Sequence, residues 1–376
     1  MKDQNSLYYV GYYAPYSDDR ERHVAMSSIS KMDYISKAIK QLGIPITIYS
    51  PIYSKCKKLR YYPRNRWVNK NGIEVWDAAT ISACNPIIKL LSQFLMEFQL
   101  FCFLVARKKN DKVLLYHAMG MRLAVSLARF FRHFDCIMEV EELYSAAWGK
   151  EEFSKEIHYL SKADKYVYVN DVMPKRFGFT QPFAVCYGNY EFFDKSVSYT
   201  GEEEKTLIYA GVIGGKGTDV YVAIDTLKFL PSEYKLKIAG YSGVDDDIVQ
   251  LKKTIEGDNR ISFWGQLSGK EYDAFLFSGR YGLCTRVLED HLSDYTFPSK
   301  VMVYLGHGLI PVCPRLNCLY DSKVRDYLLF VDSLNAEVIA ESILKNQDQQ
   351  VGNASFISSL DENFKKEMAL ILGNDN

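Results

Sequence analysis

Short apolar runs alternate with helix-like segments along this chain in two successive series, which limits the folds open to it. In the first series, LYYVGYY (7–13) and ITIYS (46–50) are predicted strands, and SSISKMDYISKAIKQLG (27–43) is a predicted helix between them. Further strands are predicted in KVLLYHA (112–118), CIMEVEEL (136–143) and ADKYVYVN (163–170), and a helix in GMRLAVSLARFFRH (120–133). Such alternation favours a parallel sheet with helices on both faces.

The second series follows a polar interruption, SVSYTGEEEKT (196–206), which is predicted to be a linker. Its predicted elements are TLIYAG (206–211), a helix over 218–230, YKLKIAG (234–240), RISFWG (260–265), RYGLCTR (280–286), LIPVC (309–313) and YLLFV (327–331). A chain of 376 residues is too long for one ordinary core. We therefore expect an N-terminal domain at 1–195, a C-terminal domain at 206–350, and a helical segment at 351–376 that packs back on the N-terminal domain.

The predicted fold class is α/β, with two doubly wound Rossmann-like domains facing each other across a cleft. Ligands of such sheets bind beyond the carboxyl ends of the strands, so the cleft is the expected site. The chain has 46 basic and 46 acidic residues, a balance that gives no electrostatic footprint for nucleic acid. Its eight cysteines are scattered without a CxxC pair and are expected to be reduced and structural. The N-terminus lacks the layout of a signal peptide, which predicts a cytoplasmic protein.

The segment NPIIKLLSQFLMEFQLFCFLVARKK (85–109) contains the most apolar helical run. Lys89, Gln93, Glu97 and Gln99 interrupt it, and on this ground we expect it not to span a membrane. One interpretation is a buried helix of the N-terminal domain. The other is a surface helix whose apolar side and trailing basic residues rest on an anionic membrane.

A glycine cluster follows the first strand of the second series, in IYAGVIGGKGTD (208–219). A nucleotide-triphosphate loop needs four residues between its glycines and a hydroxyl after the lysine. Here only three residues separate the first glycine, Gly211, from the one before the lysine, and Gly217 takes the hydroxyl position. The dinucleotide fingerprint is absent as well. A strand that ends at Gly211, a helix that begins at Thr218 and the charge of Lys216 still favour an anion here.

A second helix N-terminus with a hydroxyl and a lysine occurs in TFPSKVMVYLGHGLIPVC (296–313). Pro298 is at the predicted helix start, and Ser299 and Lys300 are in the first turn. Two such anion cradles in one doubly wound domain suit a diphosphate better than a single phosphate.

The block FPSKVMVYLGHGLIPV, together with the glycine turn at 211–217, IAGY (238–241) and ISFWGQLS (261–268), resembles the donor half of GT-B glycosyltransferases. The pattern is similar to the retaining family 4 and its relatives in bacterial capsule, O-antigen and exopolysaccharide biosynthesis. The resemblance implies donor diphosphate binding by Gly214, Gly215, Lys216, Gly217, Ser299 and Lys300. Arg286, at the end of the strand before this block, is a candidate for a third cation at the diphosphate. Candidates for the vicinity of the sugar and nucleotide are Glu289, Asp294, Tyr295, Phe297 and Pro298.

Two departures from the family pattern concern the ribose and the glycine turn. Val303 and Tyr295 stand where many members carry a pair of glutamates, so the usual ribose contact is not carried over. Glu289, Asp290 and Asp294 are candidates for sugar recognition, with a solvated loop face as the alternative. Val212 and Ile213 occupy the region where members often have an arginine.

Glu141 and Glu142 are the candidate catalytic residues, because they end an apolar strand at the edge that ligands approach. Buried side by side, their pKa values would be pushed apart. An inverting enzyme needs such a base and a retaining one does not, and the sequence leaves this choice open. Acceptor-side candidates are His117 and Asp171 at strand ends and Arg22 and His23 in the loop after the first strand. For each, a structural or solvated role is the alternative.

The resemblance implies a metal-independent glycosyltransferase that moves a sugar from a UDP- or GDP-sugar to a glycan, with a lipid-linked acceptor at the inner membrane face. The acidic run at 245–247 is predicted to be a solvated turn rather than a metal site. A nucleotide-sugar epimerase of similar shape and a non-catalytic partner subunit are the alternatives. Donor sugar, acceptor and linkage stay open.

Overall fold

Two separate β-sheets organise the chain in a computed structural model of the protein. The structure describes residues 6–15, 18, 20–22, 24, 26–54, 56, 58–82, 85–147, 150–194, 202–214, 220–285, 293–349 and 351–373. Two units are present, one formed by Met1–Asn189 with Asn363–Asn376 and the other by Tyr190–Glu362. Each unit is built around one large sheet.

The first unit contains a mostly parallel sheet. Its strands among the described residues are β1 (Leu7–Val10), β2 (Ile46–Ser50), β3 (Tyr61–Tyr62), β4 (Asn65–Val68), β5 (Glu74–Asp77), β6 (Thr80–Ile81), β7 (Lys112–Tyr116), β8 (Asp135–Val140), β9 (Lys165–Tyr168) and β10 (Phe183–Val185). The sheet order is β10-β9-β8-β7-β1-β2-β5-β4, with only β4 antiparallel to its neighbour, while β3 and β6 pair separately. The strand order reverses at β1 and β7, which makes their carboxyl ends the switch point of this sheet.

Among the described residues, five α-helices connect these strands, and a sixth returns from the second unit. They are α1 (Met26–Gln41), α2 (Pro86–Val105), α3 (Arg122–Phe131), α4 (Lys150–Leu160) and α5 (Met173–Phe177). The last helix of the chain, Ala354–Leu372, belongs to the first unit from Asn363 onward. There its Glu367 carboxylate accepts a hydrogen bond from the Val185 amide at 2.9 Å.

The second unit contains a six-stranded sheet in which every pair of neighbours is parallel. Its strands are β11 (Thr206–Val212), β12 (Lys235–Tyr241), β13 (Ile261–Phe263), β14 (Tyr281–Leu283), β15 (Ile310–Pro314) and β16 (Leu329–Val331). Its helices in the described ranges are α6 (Val220–Thr226), α7 (Asp245–Ile255), α8 (Gly269–Phe277), α9 (Ser299–Gly306), α10 (Asn317–Tyr320) and α11 (Ala336–Lys345), and the helix Ala354–Leu372 is α12.

The order β13-β12-β11-β14-β15-β16 is that of a Rossmann fold, with its switch point between β11 and β14. Most of these strands are apolar runs because a parallel sheet is covered on both faces, whereas Lys235 and Lys237 alternate with apolar residues in β12. Leu207, Tyr209, Leu236 and Ile310 are among the buried side chains of this core. The prediction of an α/β fold with two doubly wound Rossmann-like halves is therefore confirmed.

Two local features differ from the sequence analysis or were not predicted. The acidic run Asp245–Asp247 is the first turn of α7 rather than a loop, although Asp245 and Asp246 are exposed to solvent as predicted. Carboxylates stabilise a helix N-terminus through the helix dipole, which explains their position. The hairpin of β4 and β5 was not predicted, although Asn71 and Gly72 provide its signal: Gly72 has a φ of 67° and donates its amide to the Asn69 carbonyl at 2.9 Å.

The apolar segment forms α2, which in the described part of the chain is long and apolar enough to cross a membrane by length and composition alone. The polar interruptions therefore do not exclude a span, and the expectation that the segment does not span a membrane stays a prediction. The interpretation as a buried helix is wrong, because Ile87, Leu90, Phe94 and Phe98 are exposed. The seven described cysteines are free, and Cys84 lies outside the described residues.

Candidate functional site

Lys300 lies at the switch point of the second unit. It comes from the first turn of α9, and its Nζ is 4.5 Å from the centroid of the Tyr209 ring on β11. A Cβ on Gly211, further along the same strand, would collide with the Lys300 Nζ and Cε. The ammonium group therefore occupies the space that a side chain at 211 would fill. This arrangement brings two features predicted separately, the glycine turn and the PSK helix start, to one strand end.

Tyr304, one helical turn after Lys300 on α9, contacts both strands of the switch point. Its hydroxyl accepts a hydrogen bond from the Ala210 amide on β11 at 3.1 Å and lies 3.5 Å from the Leu283 carbonyl on β14. The ring fills the space over Gly282, where a Cβ would collide with it. Burial raises the pKa of Tyr304 well above its ordinary value, so the hydroxyl stays neutral. Tyr304 thus holds the two switch-point strands together, a role that sequence reasoning missed.

The N-terminus of α9 lies beside Lys300. Pro298 is the N-cap in an extended conformation, and no side chain of the described residues caps the first turn. Ser299 is exposed, whereas Lys300 is half-buried. Uncapped amides, the positive end of a helix dipole and a lysine form an anion-binding arrangement.

The beginning of the glycine turn has an acidic neighbour. Gly214 has a φ of +82°, and a Cβ there would collide with the Asp247 carboxylate of α7. That carboxylate also accepts a hydrogen bond from the Ser242 hydroxyl at 2.7 Å. A carboxylate repels a phosphate, so anion binding at the described part of this site depends on Lys300 and α9. The remaining candidates of the turn and the following loop, Gly215, Lys216, Gly217, Arg286, Glu289 and Asp290, lie outside the described residues.

The residues before α9 are mostly held in the fold. Asp294 is buried and accepts a hydrogen bond from the Asn317 side-chain amide at 2.9 Å, which ties it to α10. Phe297 is buried as well, and Tyr295 is half-buried. Tyr295 is therefore the more accessible of these candidates for contact with a bound ligand.

Acidic side chains cluster at the carboxyl end of β8 in the first unit. Glu139 is fully buried and accepts a hydrogen bond from the Tyr9 hydroxyl of β1. Glu141 forms an ion pair with Lys31 of α1, and its side chain is 20% exposed. Glu142 is exposed, so the expectation that Glu141 and Glu142 are buried side by side is wrong. In an extended chain, residues two apart share a face, and Glu139 is therefore the carboxylate that Glu141 repels within the fold.

Burial sets the proton affinities of this cluster. It raises the pKa of Glu139 well above the ordinary value, and repulsion from Glu141 adds to the rise while Lys31 opposes it. Burial alone would lower the pKa of Lys31, but attraction from Glu141 and Glu139 leaves it raised. Glu139 is therefore able to hold a proton within the fold, and Glu141 is the member of the cluster whose side chain is partly exposed.

His117 ends β7 and is fully buried beside α4. Its Nε2 lies 3.1 Å from the Glu156 carboxylate, which also accepts the Ser145 amide at 2.8 Å and the Tyr144 amide at 3.2 Å. Burial would raise the pKa of Glu156, but the hydrogen bonds from His117 and Ser145 lower it below the usual value. The pair fixes the short turn Tyr144–Ala147, so His117 is a positioning group in this structure.

Asp171 and Arg22 are engaged within the first unit. Asp171 follows β9 and accepts a hydrogen bond from the Tyr187 hydroxyl. Arg22 is almost fully buried, with its guanidinium 2.9 Å from Asp18 and 2.8 Å from Asp77. Two carboxylates neutralise Arg22, which leaves it poorly suited to a phosphate of an acceptor. His23 lies outside the described residues.

Within the described ranges no group of three or more His, Cys, Asp or Glu side chains is placed to hold a metal ion, and metal independence stays a prediction.

Solved structures resemble this chain over nearly its whole length, whereas no protein-family model and no curated protein sequence matches it. Sucrose-phosphate synthase from Thermosynechococcus elongatus matches with a TM-score of 0.65 and 11% identity, over 98% of this chain and 95% of that one. The pneumococcal O-GlcNAc transferase GtfA in complex with UDP and GlcNAc matches with a TM-score of 0.62 and 11% identity, over 99% and 97%. The lipopolysaccharide outer core galactosyltransferase WaaB, in its apo form, matches with a TM-score of 0.59 and 12% identity, over 99% and 100%.

At these identities the likeness shows the fold alone. The two Rossmann-like units together correspond to the GT-B fold of these transferases, which confirms the predicted fold. The assignment to a family 4-like, capsule or O-antigen type stays a prediction.

Proposed function

We propose that this chain is a glycosyltransferase that moves a sugar from a nucleoside-diphosphate sugar to a glycan acceptor. The observation that carries the proposal is the position of Lys300 over Gly211, at the switch point of a Rossmann sheet and beside the N-terminus of α9. Glycosyl transfer leaves a diphosphate whose charge must be neutralised in the transition state. A lysine and uncapped helix amides provide that charge stabilisation without a metal ion.

The neighbouring structures support the donor class. GtfA is described with UDP and GlcNAc bound, and it shares the fold over nearly the whole chain. We propose a UDP- or GDP-sugar as the donor of this chain on the same grounds. Lys216, Gly215 and Gly217 are proposed to complete the diphosphate site from the other side.

The acceptor is proposed to be a lipid-linked glycan of surface polysaccharide biosynthesis, used at the cytoplasmic face of the membrane. The likeness to WaaB, a transferase of the lipopolysaccharide outer core, supports this choice. On the acceptor side, Glu141 is proposed as the group that exchanges a proton with the acceptor, because it is the solvent-reaching member of the β8 cluster.

A non-catalytic partner subunit is the second candidate, and Val303 is the observation that favours it. Val303 lies on α9 one residue before Tyr304, at the position where many transferases of this pattern carry a glutamate for the ribose. A subunit that had lost its donor site would retain the fold and bind no nucleotide.

Calorimetry with UDP and with GDP tests the proposal. We expect one of the two to bind the wild type, and Lys300→Ala to weaken that binding by about tenfold or more, because a charge-assisted hydrogen bond to phosphate is lost. Lys228→Ala is the matched control, since Lys228 is an exposed lysine of the same unit that pairs with Asp225. Absence of binding for both nucleotides would favour the non-catalytic subunit. Incubation with the UDP-sugar alone separates an epimerase, which would change the sugar without an acceptor.

A further inference from the structure

The outward side of α2 is an apolar stripe. Five large side chains, at helical spacings that place them on one face, are more than half exposed: Ile87 (71%), Leu90 (68%), Leu91 (51%), Phe94 (69%) and Phe98 (55%). In a helix on a globular protein this stripe normally faces the core. Here it faces solvent, which reverses the expected pattern.

The neighbouring helix α3 extends the stripe into a surface. Its exposed residues Leu123, Leu127, Phe130 and Phe131 are also spaced to share one helix face, and Phe130 is 83% exposed. Phe131 meets Phe101 of α2 edge-on, with ring centroids 6.1 Å apart. The Phe101–Phe131 contact brings the two exposed helix faces next to each other, and their nine exposed side chains are called the α2–α3 surface below. Patches of this kind mark interaction sites in soluble proteins.

Polar side chains on the inner side of α2 tie the helix to the first unit. The Gln99 side-chain amide donates to the Ala79 carbonyl at 2.8 Å and accepts from the Ala79 amide at 3.0 Å. The Ser92 hydroxyl donates to the Ile81 carbonyl at 2.9 Å. These bonds, and the burial of Met96 and Leu100 beneath the helix, hold α2 flat on its unit. Packed in this way, α2 leaves only its outward apolar side open to a partner.

Charge is distributed unevenly around the α2–α3 surface. Segments 85–109 and 119–133 carry seven lysines and arginines against one acidic residue, in a chain with a net charge of zero. The acidic residue, Glu97, accepts a hydrogen bond from the Ala124 amide at 2.7 Å at the start of α3. At the other end, the Arg132 guanidinium donates to the Arg107 carbonyl at 3.1 Å, which brings the basic ends of both helices together. Lys108 and Lys109 are exposed there.

We propose that the α2–α3 surface docks on a bilayer that contains anionic phospholipids. Its apolar side chains would enter the acyl boundary, and the basic ends of the two helices would meet the headgroup phosphates. A second copy of the chain fits less well, because Glu97, the one acidic residue of these segments, already accepts the Ala124 amide and is not matched to the seven cations. Docking does not depend on the proposed function, whereas its use to reach a lipid-linked acceptor rests on it.

Vesicle flotation tests the docking surface. We expect the wild type to float with vesicles of phosphatidylcholine and phosphatidylglycerol and to bind phosphatidylcholine vesicles at least about tenfold more weakly. The double variant Phe94→Ser with Phe130→Ser should lose about tenfold or more in affinity through lost apolar burial. Lys108→Glu with Lys109→Glu should lose a similar factor, and salt of about 0.5 M should weaken the wild type toward the level of that variant.

Matched controls use exposed residues elsewhere. Phe229→Ser with Leu370→Ser removes two exposed apolar side chains, and Lys252→Glu with Lys253→Glu reverses two exposed charges of α7. Both controls should float like the wild type. Absence of flotation for the wild type, equal binding to both vesicle types, or equal losses in the controls would overturn the proposal. A dimer in light scattering that Phe130→Ser abolishes, without vesicle binding, would assign the surface to a second copy.

Nucleotide calorimetry in vesicle-free buffer keeps the two proposals separate. All four double variants should bind UDP or GDP as the wild type does, because none touches the Lys300 site. If the wild type floats with vesicles but binds neither nucleotide, the docking proposal stands and the proposed function is overturned. If it binds a nucleotide but does not float, only the docking proposal is overturned.

Discussion

Gly211 and Lys300 show how a single glycine serves the candidate site. The glycine leaves the space that the Lys300 ammonium occupies, and that ammonium is thereby held over the Tyr209 ring at the end of β11. A cation held in place above a ring loses less freedom when it binds a phosphate than a lysine that moves in solvent. The glycine therefore acts on ligand binding through the lysine rather than through its own backbone alone.

Gly211→Ala is expected to displace Lys300 and to weaken nucleotide binding by about tenfold. The colliding atoms belong to the end of a flexible side chain, so the melting temperature should change little. Calorimetry and thermal melts of the same sample measure both effects. Gly243→Ala is the control, because no atom lies within 4 Å of a Cβ there. Unchanged nucleotide binding in Gly211→Ala would contradict the placement of the donor site at Lys300.

At the scale of elements, α4 holds the turn that follows β8. Glu156 of α4 accepts hydrogen bonds from the Tyr144 and Ser145 amides and pairs with His117 at the end of β7. The pattern of the sequence predicts these strands and the strand-end position of His117, but it gives no sign of Glu156. The glutamate lies in a polar helix, where a solvated side chain is the ordinary expectation.

Glu156→Ala is expected to destabilise the protein by about 3 kcal/mol, because it leaves several buried donors without an acceptor. The measurement is urea unfolding at neutral pH, followed by tyrosine and tryptophan fluorescence. Glu341→Ala is the matched control on α11, where an exposed pair with Lys345 at 2.9 Å should contribute about 0.5 kcal/mol or less. Equal losses in the two variants would show that the buried pair is not a stabilising contact.

The sequence also predicts some elements better than others. Each strand that the sequence analysis predicted begins within about two residues of its predicted start. Apolar runs are a local property of the sequence, which explains this agreement. The orientation of α2 did not follow from its sequence. Its polar residues Ser92 and Gln99 find backbone partners on the inner side, and this pairing turns the apolar stripe outward.

In the whole molecule, positive and negative charges balance, so individual buried groups rather than net charge determine how stability depends on pH. The formal net charge is zero at pH 7, so self-repulsion between like charges is small near neutrality. Glu139 is the buried carboxyl with a strongly raised pKa. A pKa raised in the folded state gives a contribution to stability that is complete below the unfolded value and is lost as the pH rises through the folded value.

Glu139→Gln should therefore gain stability relative to the wild type as the pH rises. The amide imitates the protonated carboxyl and still accepts the Tyr9 hydrogen bond. We expect the variant and the wild type to have the same melting temperature at about pH 4. At about pH 8.5 the variant should melt about 3 °C higher than the wild type. Thermal melts across this range measure it, with the exposed Glu142→Gln as a control that should follow the wild type. A variant that is less stable at high pH would contradict the assigned direction.

The sequence by itself determined the α/β class, the two series of strands and the start of α9 with Ser299 and Lys300 in its first turn. These features depend on local patterns, in which apolar runs and a proline set the conformation of neighbouring residues. Only the tertiary structure decided that Lys300 lies over Gly211, that Asp247 lies against Gly214 and that Glu139, rather than Glu142, is coupled to Glu141. Most of those contacts join residues from different elements. The order of strands in each sheet brings these residues together, and no local pattern encodes that order.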